Sequence, residues 1–448
     1  MVFSSLEFIF IYLPLFLPLY YIVPEKGRNL LLLSGSILFY TYGNWSNPAY
    51  VLLLLLSIAV NYVLGKAVGS ARFFSGKGFL ITGLFYNLAW LIFFKYFSNQ
   101  GLPVGISFYT FQMMAYLIDV YRKNIAAETS LITLGTYFCM FPQLTSGPLV
   151  SYGKLAPSLK ARSILLEDIE EGLKTFVIGL GLKILLANQL GGLWKDIYAI
   201  GFESISTPLA WLGIIGFSLQ IYFDFWGYSL MATGLGKLLG FSLPVNFDHP
   251  YTALSMTQFW RKWHISLGNW FKNYLYIPLG GNRCSFWKTT RNLALVWLCT
   301  GIWHGAEWNF LLWAAFLFVL IFVEKLGLGK LLTRFPVLGH LYMMIAIPLS
   351  WLLFAISDVA QLKIYFLKLF PMFGTAGEVL FAGDYLKYGK IYALSLLLGI
   401  LFATRIPSGF YQKHRKNFLV IICLLAVFWY SIYCLLKGMN DPFMYFKF

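Results

Sequence analysis

Charge is what this sequence lacks most. Of 448 residues only 12% are charged, acidic residues number 18 against 34 lysines and arginines, and 59% are hydrophobic. Soluble domains carry about 25% charged residues, so no polar shell can cover a core of this kind in water, and the chain needs lipid as its solvent. Cysteine is sparse: Cys139, Cys284, Cys299, Cys423 and Cys434 form no Cys-x-x-Cys pair. That argues against a metal cluster or a disulfide framework and leaves buried thiols. A Gly-x-Ser-x-Gly elbow, a Walker A loop and a His-Glu-x-x-His helix are all missing, so serine-hydrolase, P-loop and zinc-protease chemistry lack their signatures. The net charge of +16 does not signal nucleic acid, because the basic residues sit in loops beside apolar runs. Such loops face anionic lipid on the cytoplasmic side. No long polar linker, low-complexity tail or internal repeat is visible, and residues 1–448 read as one membrane domain.

What is abundant is apolar and aromatic. Aromatics make up 19% of the chain, which suits both membrane interfaces and packed helix bundles. Apolar runs lie at 2–23, 29–43, 49–65, 78–94, 105–121, 170–190, 208–223, 293–322, 339–357, 391–404 and 418–437. They predict an all-α polytopic protein with about eleven spans. The interrupted stretches 131–150, 226–243 and 259–281 are expected as re-entrant or interfacial helices. The first run is followed, not preceded, by basic residues (Lys26 and Arg28), so it is expected as a retained helix entering from outside. Lys66, Arg72 and Lys77, then Arg122 and Lys123, Lys325, Lys330 and Arg334, and Arg405, Lys413, Arg415 and Lys416 mark cytoplasmic loops. The stretch 131–150 lies between two basic loops, so it is expected to turn back within the membrane, at Phe141-Pro142-Gln143 and Ser146-Gly147-Pro148.

Two histidine-bearing stretches stand out. Phe259-Trp260-Arg261-Lys262-Trp263-His264-Ile265-Ser266-Leu267-Gly268-Asn269-Trp270-Phe271-Lys272 reads as one amphipathic helix. Trp260, Trp263, Leu267, Trp270, Phe271 and Tyr274 form its apolar stripe, and Arg261, Lys262, Asn269 and Lys272 fall mainly opposite. His264 falls off the polar face, where it is either a satisfied core histidine or a functional group. The second stretch is Thr300-Gly301-Ile302-Trp303-His304-Gly305-Ala306-Glu307. Here His304 and Glu307 interrupt an apolar run, and ionisable groups at such depth mark a site by default. Gly301 and Gly305 offer a small-xxx-small face for close helix approach. A histidine in a water-poor site can take a proton from an alcohol near neutral pH, which acyl transfer to a hydroxyl requires.

Together these stretches resemble the membrane-bound O-acyltransferase family, and within it the bacterial alginate O-acetylation branch. The resemblance rests on residues 258–267, on Tyr274-Leu275-Tyr276-Ile277-Pro278-Leu279-Gly280-Gly281-Asn282-Arg283, and on Gly301-Ile302-Trp303-His304-Gly305-Ala306. Residues 105–112, Pro142-Gln143-Leu144, Tyr222-Phe223-Asp224-Phe225 with Gly227-Tyr228-Ser229, and the tail Pro442 to Phe448 agree in order. The resemblance implies a ring of tilted helices around a central tunnel, with His304 reactive and His264 at the second polar position. It implies an acyl group, acetyl in this branch, taken from a cytoplasmic thioester such as acetyl-CoA or an acyl carrier, with no bound cofactor and no metal. Delivery is to a glycan outside the cell membrane, directly or through an extracytoplasmic acetyltransferase-like partner. Asn269, Asp224, Arg261, Lys262, Lys272 and Trp303 are the further candidates for substrate contact. Two departures, Leu230-Met231-Ala232 where the branch has Asp-Met-Ala and Trp226 where a small residue is expected, bear on the wall near Asp224. Peptidoglycan O-acetylation and D-alanylation by the same fold stay open. A transporter or a scaffold without chemistry is the rival of another class.

Overall fold

A computed structural model describes residues 2–70, 73–98, 101–145, 147–439 and 444. Arg72, Ser146 and the tail motif Pro442 to Phe448, apart from Met444, therefore lie outside the described residues. The regular elements among the described residues are all helices, with no strand among them. In chain order the helices are α1 (Phe8–Ile22), α2 (Glu25–Gly43), α3 (Ala49–Ser70), α4 (Ser75–Phe97), α5 (Ile106–Tyr121), α6 (Leu131–Cys139), α7 (Phe141–Leu144), α8 (Tyr152–Lys160), α9 (Leu166–Ile200) and α10 (Thr207–Leu238). They continue with α11 (Met256–Lys262), α12 (Ile265–Phe271), α13 (Phe286–His304), α14 (Trp308–Arg334), α15 (Pro336–Ala355), α16 (Val359–Leu369), α17 (Asp384–Ala403), α18 (Ile406–His414) and α19 (Phe418–Leu436). Among the described residues, eight helices (α3, α4, α9, α10, α14, α15, α17 and α19) are long and apolar enough to cross a membrane. The remaining three of the expected eleven runs fall on α1, α2 and α5. Of these α1 is shorter, α2 carries Glu25, Lys26 and Arg28 in its first turn, and α5 has 16 residues.

The chain divides into two compact units, residues 1–179 with 228–245 and residues 180–227 with 246–448. In the first, α5 is buried on nearly every side and packs with α3 and α4. Polar groups hold these helices together. Asn61 and Asn87 exchange amide hydrogen bonds, Asn61 Nδ2 to Asn87 Oδ1 at 3.2 Å and Asn87 Nδ2 to Asn61 Oδ1 at 2.8 Å. Where lipid offers no driving force between helices, such pairs help hold them together. The expected break in 131–150 exists, but at Met140 and not at Pro142. Pro142 stands in the first turn of α7, where its missing N–H costs nothing, and Ser36 Oγ accepts the N–H of Phe141 at 3.0 Å.

Two readings of the sequence are corrected here. The stretch 226–243 is no separate half-helix, because most of it is the second half of the 32-residue α10. Its glycines do not break the helix, and Gly234 instead permits contact. A Cβ there would lie 2.5 Å from the Gly172 carbonyl oxygen and 2.7 Å from the Phe176 nitrogen. The run 293–322 is no single span either. It is a hairpin of α13 and α14 turning at Gly305 to Glu307, so Glu307 lies exposed in the turn and not at depth in a helix. The small-residue face does what its spacing predicted. A Cβ on Gly301 would stand 2.8 Å from Ala314 Cβ and 2.9 Å from the Phe310 carbonyl oxygen, and one on Gly305 would meet the Phe310 ring at 2.6 Å.

Candidate active site

All the groups described here belong to the second unit. The sequence placed His264 within one helix, but the structure ends α11 at Lys262 and starts α12 at Ile265. Between them Trp263 is extended and His264 adopts the left-handed conformation, with φ 44°. Non-glycine residues pay for that conformation with steric strain, and it is retained where the surroundings over-determine it. The surroundings do so here. Residues 246–248 run beside the break, with Ile265 N donating to Asn246 O at 2.9 Å and Asp248 N to Lys262 O at 3.0 Å. Asn246 Oδ1 lies 3.1 Å from His264 Nδ1 and accepts the Ser266 N–H at 3.1 Å. The Phe225 ring stands edge-on to the imidazole at 4.6 Å. His264 is 3% exposed, and burial pushes its pKa down to about 3, so the ring is neutral.

His304 is the last residue of α13 and is buried. Its walls are aromatic: Trp303 at 4.5 Å, Trp313 edge-on at 5.0 Å, Phe354 edge-on at 5.1 Å and Phe310 at 6.0 Å between ring centroids. Asn309 braces the turn, its Nδ2 donating to the Phe354 carbonyl at 3.2 Å. One aromatic cluster touches both histidine segments. Trp263, beside His264, packs on Trp351 at 4.8 Å, Trp351 packs on Phe354 at 5.7 Å, and Trp260 packs on Trp313 at 5.6 Å. Segments 40 residues apart in sequence are thus gathered on one set of rings, with α11 against α14 and α15.

The remaining sequence candidates divide. Trp303 is buried beside His304. Arg261, Asn269 and Lys272 are exposed, so the first and last stand where an anion could reach them. Lys262 is half-buried and donates to Thr252 Oγ1 at 3.0 Å. Burial lowers its pKa, Arg405 lowers it further and Asp248 opposes them. Arg405 Nη2 meets Asp248 Oδ2 at 3.0 Å, which puts the expected cytoplasmic loop at 405 on the same face as Lys262. Asp224 is buried in an ion pair with Lys183 and accepts the Met444 N–H at 2.9 Å. Its carboxylate has structural partners, and Trp226 stacks on Tyr222 at 5.2 Å in that region. Sequence reasoning missed Lys183, Asn246 and Asn309. Lys183 is a cation inside the apolar run 170–190, a signal of a buried partner that went unused, whereas Asn246 and Asn309 stand near other polar residues and carry no such signal.

The profile of the membrane-bound O-acyltransferase family matches residues 122–356. The chain is 40% identical over 339 residues to the probable alginate O-acetylase AlgI of Azotobacter vinelandii, covering 70% of this chain and 67% of that one. It is 37% identical over 384 residues to the probable alginate O-acetylase AlgI of Pseudomonas aeruginosa, covering 80% and 73%. To the peptidoglycan O-acetyltransferase of Helicobacter pylori it is 35% identical over 366 residues, covering 70% and 68%.

Proposed function

The chain belongs to the membrane-bound O-acyltransferase family, and from that premise we propose that it takes an acetyl group from a cytoplasmic thioester for O-acetylation of a polysaccharide outside a bacterial cell membrane. The observation that carries this reading is His304, a buried imidazole at the end of a helix hairpin in a cage of four aromatic rings. His304 takes the proton of the incoming hydroxyl as its oxygen attacks the thioester carbonyl. The C–S bond then breaks, and the departing sulfur takes the proton back from the imidazolium. The carbonyl end of α13 favours the positive charge the ring carries in between. The donor is a co-substrate, acetyl-CoA or an acyl carrier, whose phosphates meet Arg261, Lys262 and Lys272. An extracytoplasmic partner protein completes delivery to the polymer. A second reading, peptidoglycan as the acceptor, is supported by the likeness to the Helicobacter pylori enzyme.

The test is His304→Gln, assayed for transfer from labelled acetyl-CoA and normalised to monodisperse protein. The amide keeps hydrogen-bonding capacity but takes no proton near neutral pH, so transfer should fall to background. Retention of more than about a tenth of wild-type transfer, less than the smallest loss expected for a general base, would remove that role from His304. A chain that consumes no acetyl-CoA and moves a polar solute instead would be a transporter.

A further inference from the structure

Glu324 stands where α14 is otherwise apolar. Trp308 to Val323 include no charged residue, and Glu324 follows them as the first residue of a π-helical turn, only 5% exposed. A buried carboxylate is retained where hydrogen bonds compensate it, and here each oxygen accepts two. Oε1 accepts the Met256 N–H at 2.6 Å and the Tyr342 O–H at 3.1 Å. Oε2 accepts the Thr257 N–H at 2.9 Å and the Thr257 O–H at 2.6 Å. One side chain on α14 thus holds the start of α11 and meets α15. The corner is tight. A Cβ on Gly339, one turn before Tyr342 on α15, would lie 3.0 Å from the Leu254 carbonyl oxygen. The ordinary cap of α11 is a different residue, since Ser255 Oγ accepts the Gln258 N–H at 3.2 Å and Gln258 Oε1 accepts the Leu254 N–H at 3.1 Å. A neutral acceptor would serve the two N–H groups that remain. What the buried carboxylate adds is a fixed distance between segments 67 and 68 residues apart in sequence.

We propose that Glu324 is a positioning residue for acyl transfer, whose carboxylate fixes α11 against α14 and α15 and, through α11, fixes the places of Lys262 and His264. This rests on the acyltransferase reading and adds to it a residue that touches no substrate. The path is short. α11 has seven residues and extends about 10 Å at 1.5 Å per residue. A shift at Met256 is therefore carried to Lys262, its last residue, and to the break at Trp263 and His264. Trp260, in the middle, lies against Trp297 at 5.2 Å and Trp313 at 5.6 Å, so α11 pivots there and its two ends move together. Trp313 of α14 and Phe354 of α15 are also walls of His304. The helices that carry Glu324 and Tyr342 are thus the ones that wall His304, and the carboxylate sets the two histidine segments in register. The π-helical turn at Glu324 is a form often found at functional sites.

In Glu324→Gln one acceptor oxygen becomes an NH2 group set against donors. Transfer from labelled acetyl-CoA, per amount of monodisperse full-length protein in detergent, should fall at least about tenfold, the worth of one hydrogen bond to a charged group. The near-UV circular dichroism of the tryptophan cluster should change while the far-UV helical signal holds. Wild-type transfer per folded protein, or an unchanged near-UV spectrum, overturns the proposal. Tyr342→Phe separates positioning from capping, because it leaves both backbone N–H groups of α11 bonded to Glu324 and cuts only the link to α15. It should lower transfer about threefold, towards the low end for one hydrogen bond. Transfer equal to wild type in Tyr342→Phe reduces Glu324 to a helix cap and overturns the proposal. The double variant should be no slower than Glu324→Gln alone, since both changes act through one carboxylate, and losses that multiply overturn the shared path. Tyr342→Phe carries the test by itself should Glu324→Gln fail to fold. A wild-type protein that transfers no acetyl group, while Glu324→Gln still changes the near-UV signal, sinks the acyltransferase reading and leaves the tie between Glu324 and α11 standing.

Discussion

His264 and His304 sit at opposite ends of helices. His264 precedes the first turn of α12, where the unpaired N–H groups of a helix oppose a positive charge, and His304 closes α13, where the carbonyl groups favour one. The polar contacts of Asn246 orient the first, while the aromatic rings seen around the second confine it. Two imidazoles on the same aromatic cluster therefore stand in opposite helix-end fields, and only that of His304 suits the general base proposed above.

The contrast can be broken by replacing each ring in turn. His304→Ala should lower transfer by about 10²- to 10⁴-fold, the worth of a positioned general base, measured per amount of folded protein. His264→Ala should cost only about tenfold, the worth of one neutral hydrogen bond. Equal losses would mean that both rings share one step. A stability experiment sharpens the comparison from the His264 side, because Asp224 adjoins Phe225 and the Phe225 ring lies on that imidazole. Asp224→Asn leaves Lys183 buried without its counter-charge and should destabilise the protein by about 3–5 kcal/mol, read as a drop in detergent Tm. Asp224→Asn with Lys183→Met should recover most of that loss, and failure to recover would give Asp224 a role beyond the pair. The smallest effect is expected at the surface. Lys262→Glu with Lys272→Glu should raise the KM for acetyl-CoA several-fold with little change in kcat, as loss of exposed charge contacts does. If kcat falls and KM holds, these lysines act at the chemistry and not on the donor.

The class of fold was legible in the long apolar runs, and His304 drew notice because it interrupts one of them, whereas His264 drew notice only as a histidine off the polar face of an amphipathic stretch. Gly301 and Gly305 were legible as well, since only a close approach explains glycines at that spacing. The break at His264 was not legible. Residues 259–274 carry a complete 3.6-residue periodicity, and the force that overrides it comes from Asn246 and from residues 246–248, which no local pattern connects to it. The hairpin at Gly305 was hidden for another reason, because the apolar runs on its two sides read as one span across a turn of only three residues, Gly305 to Glu307. Asp224 was singled out as a candidate for substrate contact, and its partner in the structure is a lysine 41 residues away on α9. Pairing across helices is a fact of packing and cannot be read from either strand of sequence alone.

The length of α10 has a consequence for the lipid around it. Its 32 residues extend about 48 Å at a helical rise of 1.5 Å per residue, against a hydrocarbon thickness of about 30 Å. A helix that long must lean, project into the headgroups, or deform the bilayer beside it, at a cost of fractions of a kcal/mol for each ångström of mismatch. Acyl-chain length in a reconstituted vesicle is therefore a mechanical variable for this protein, and thick and thin bilayers will press on α10 differently even when every protein contact is the same.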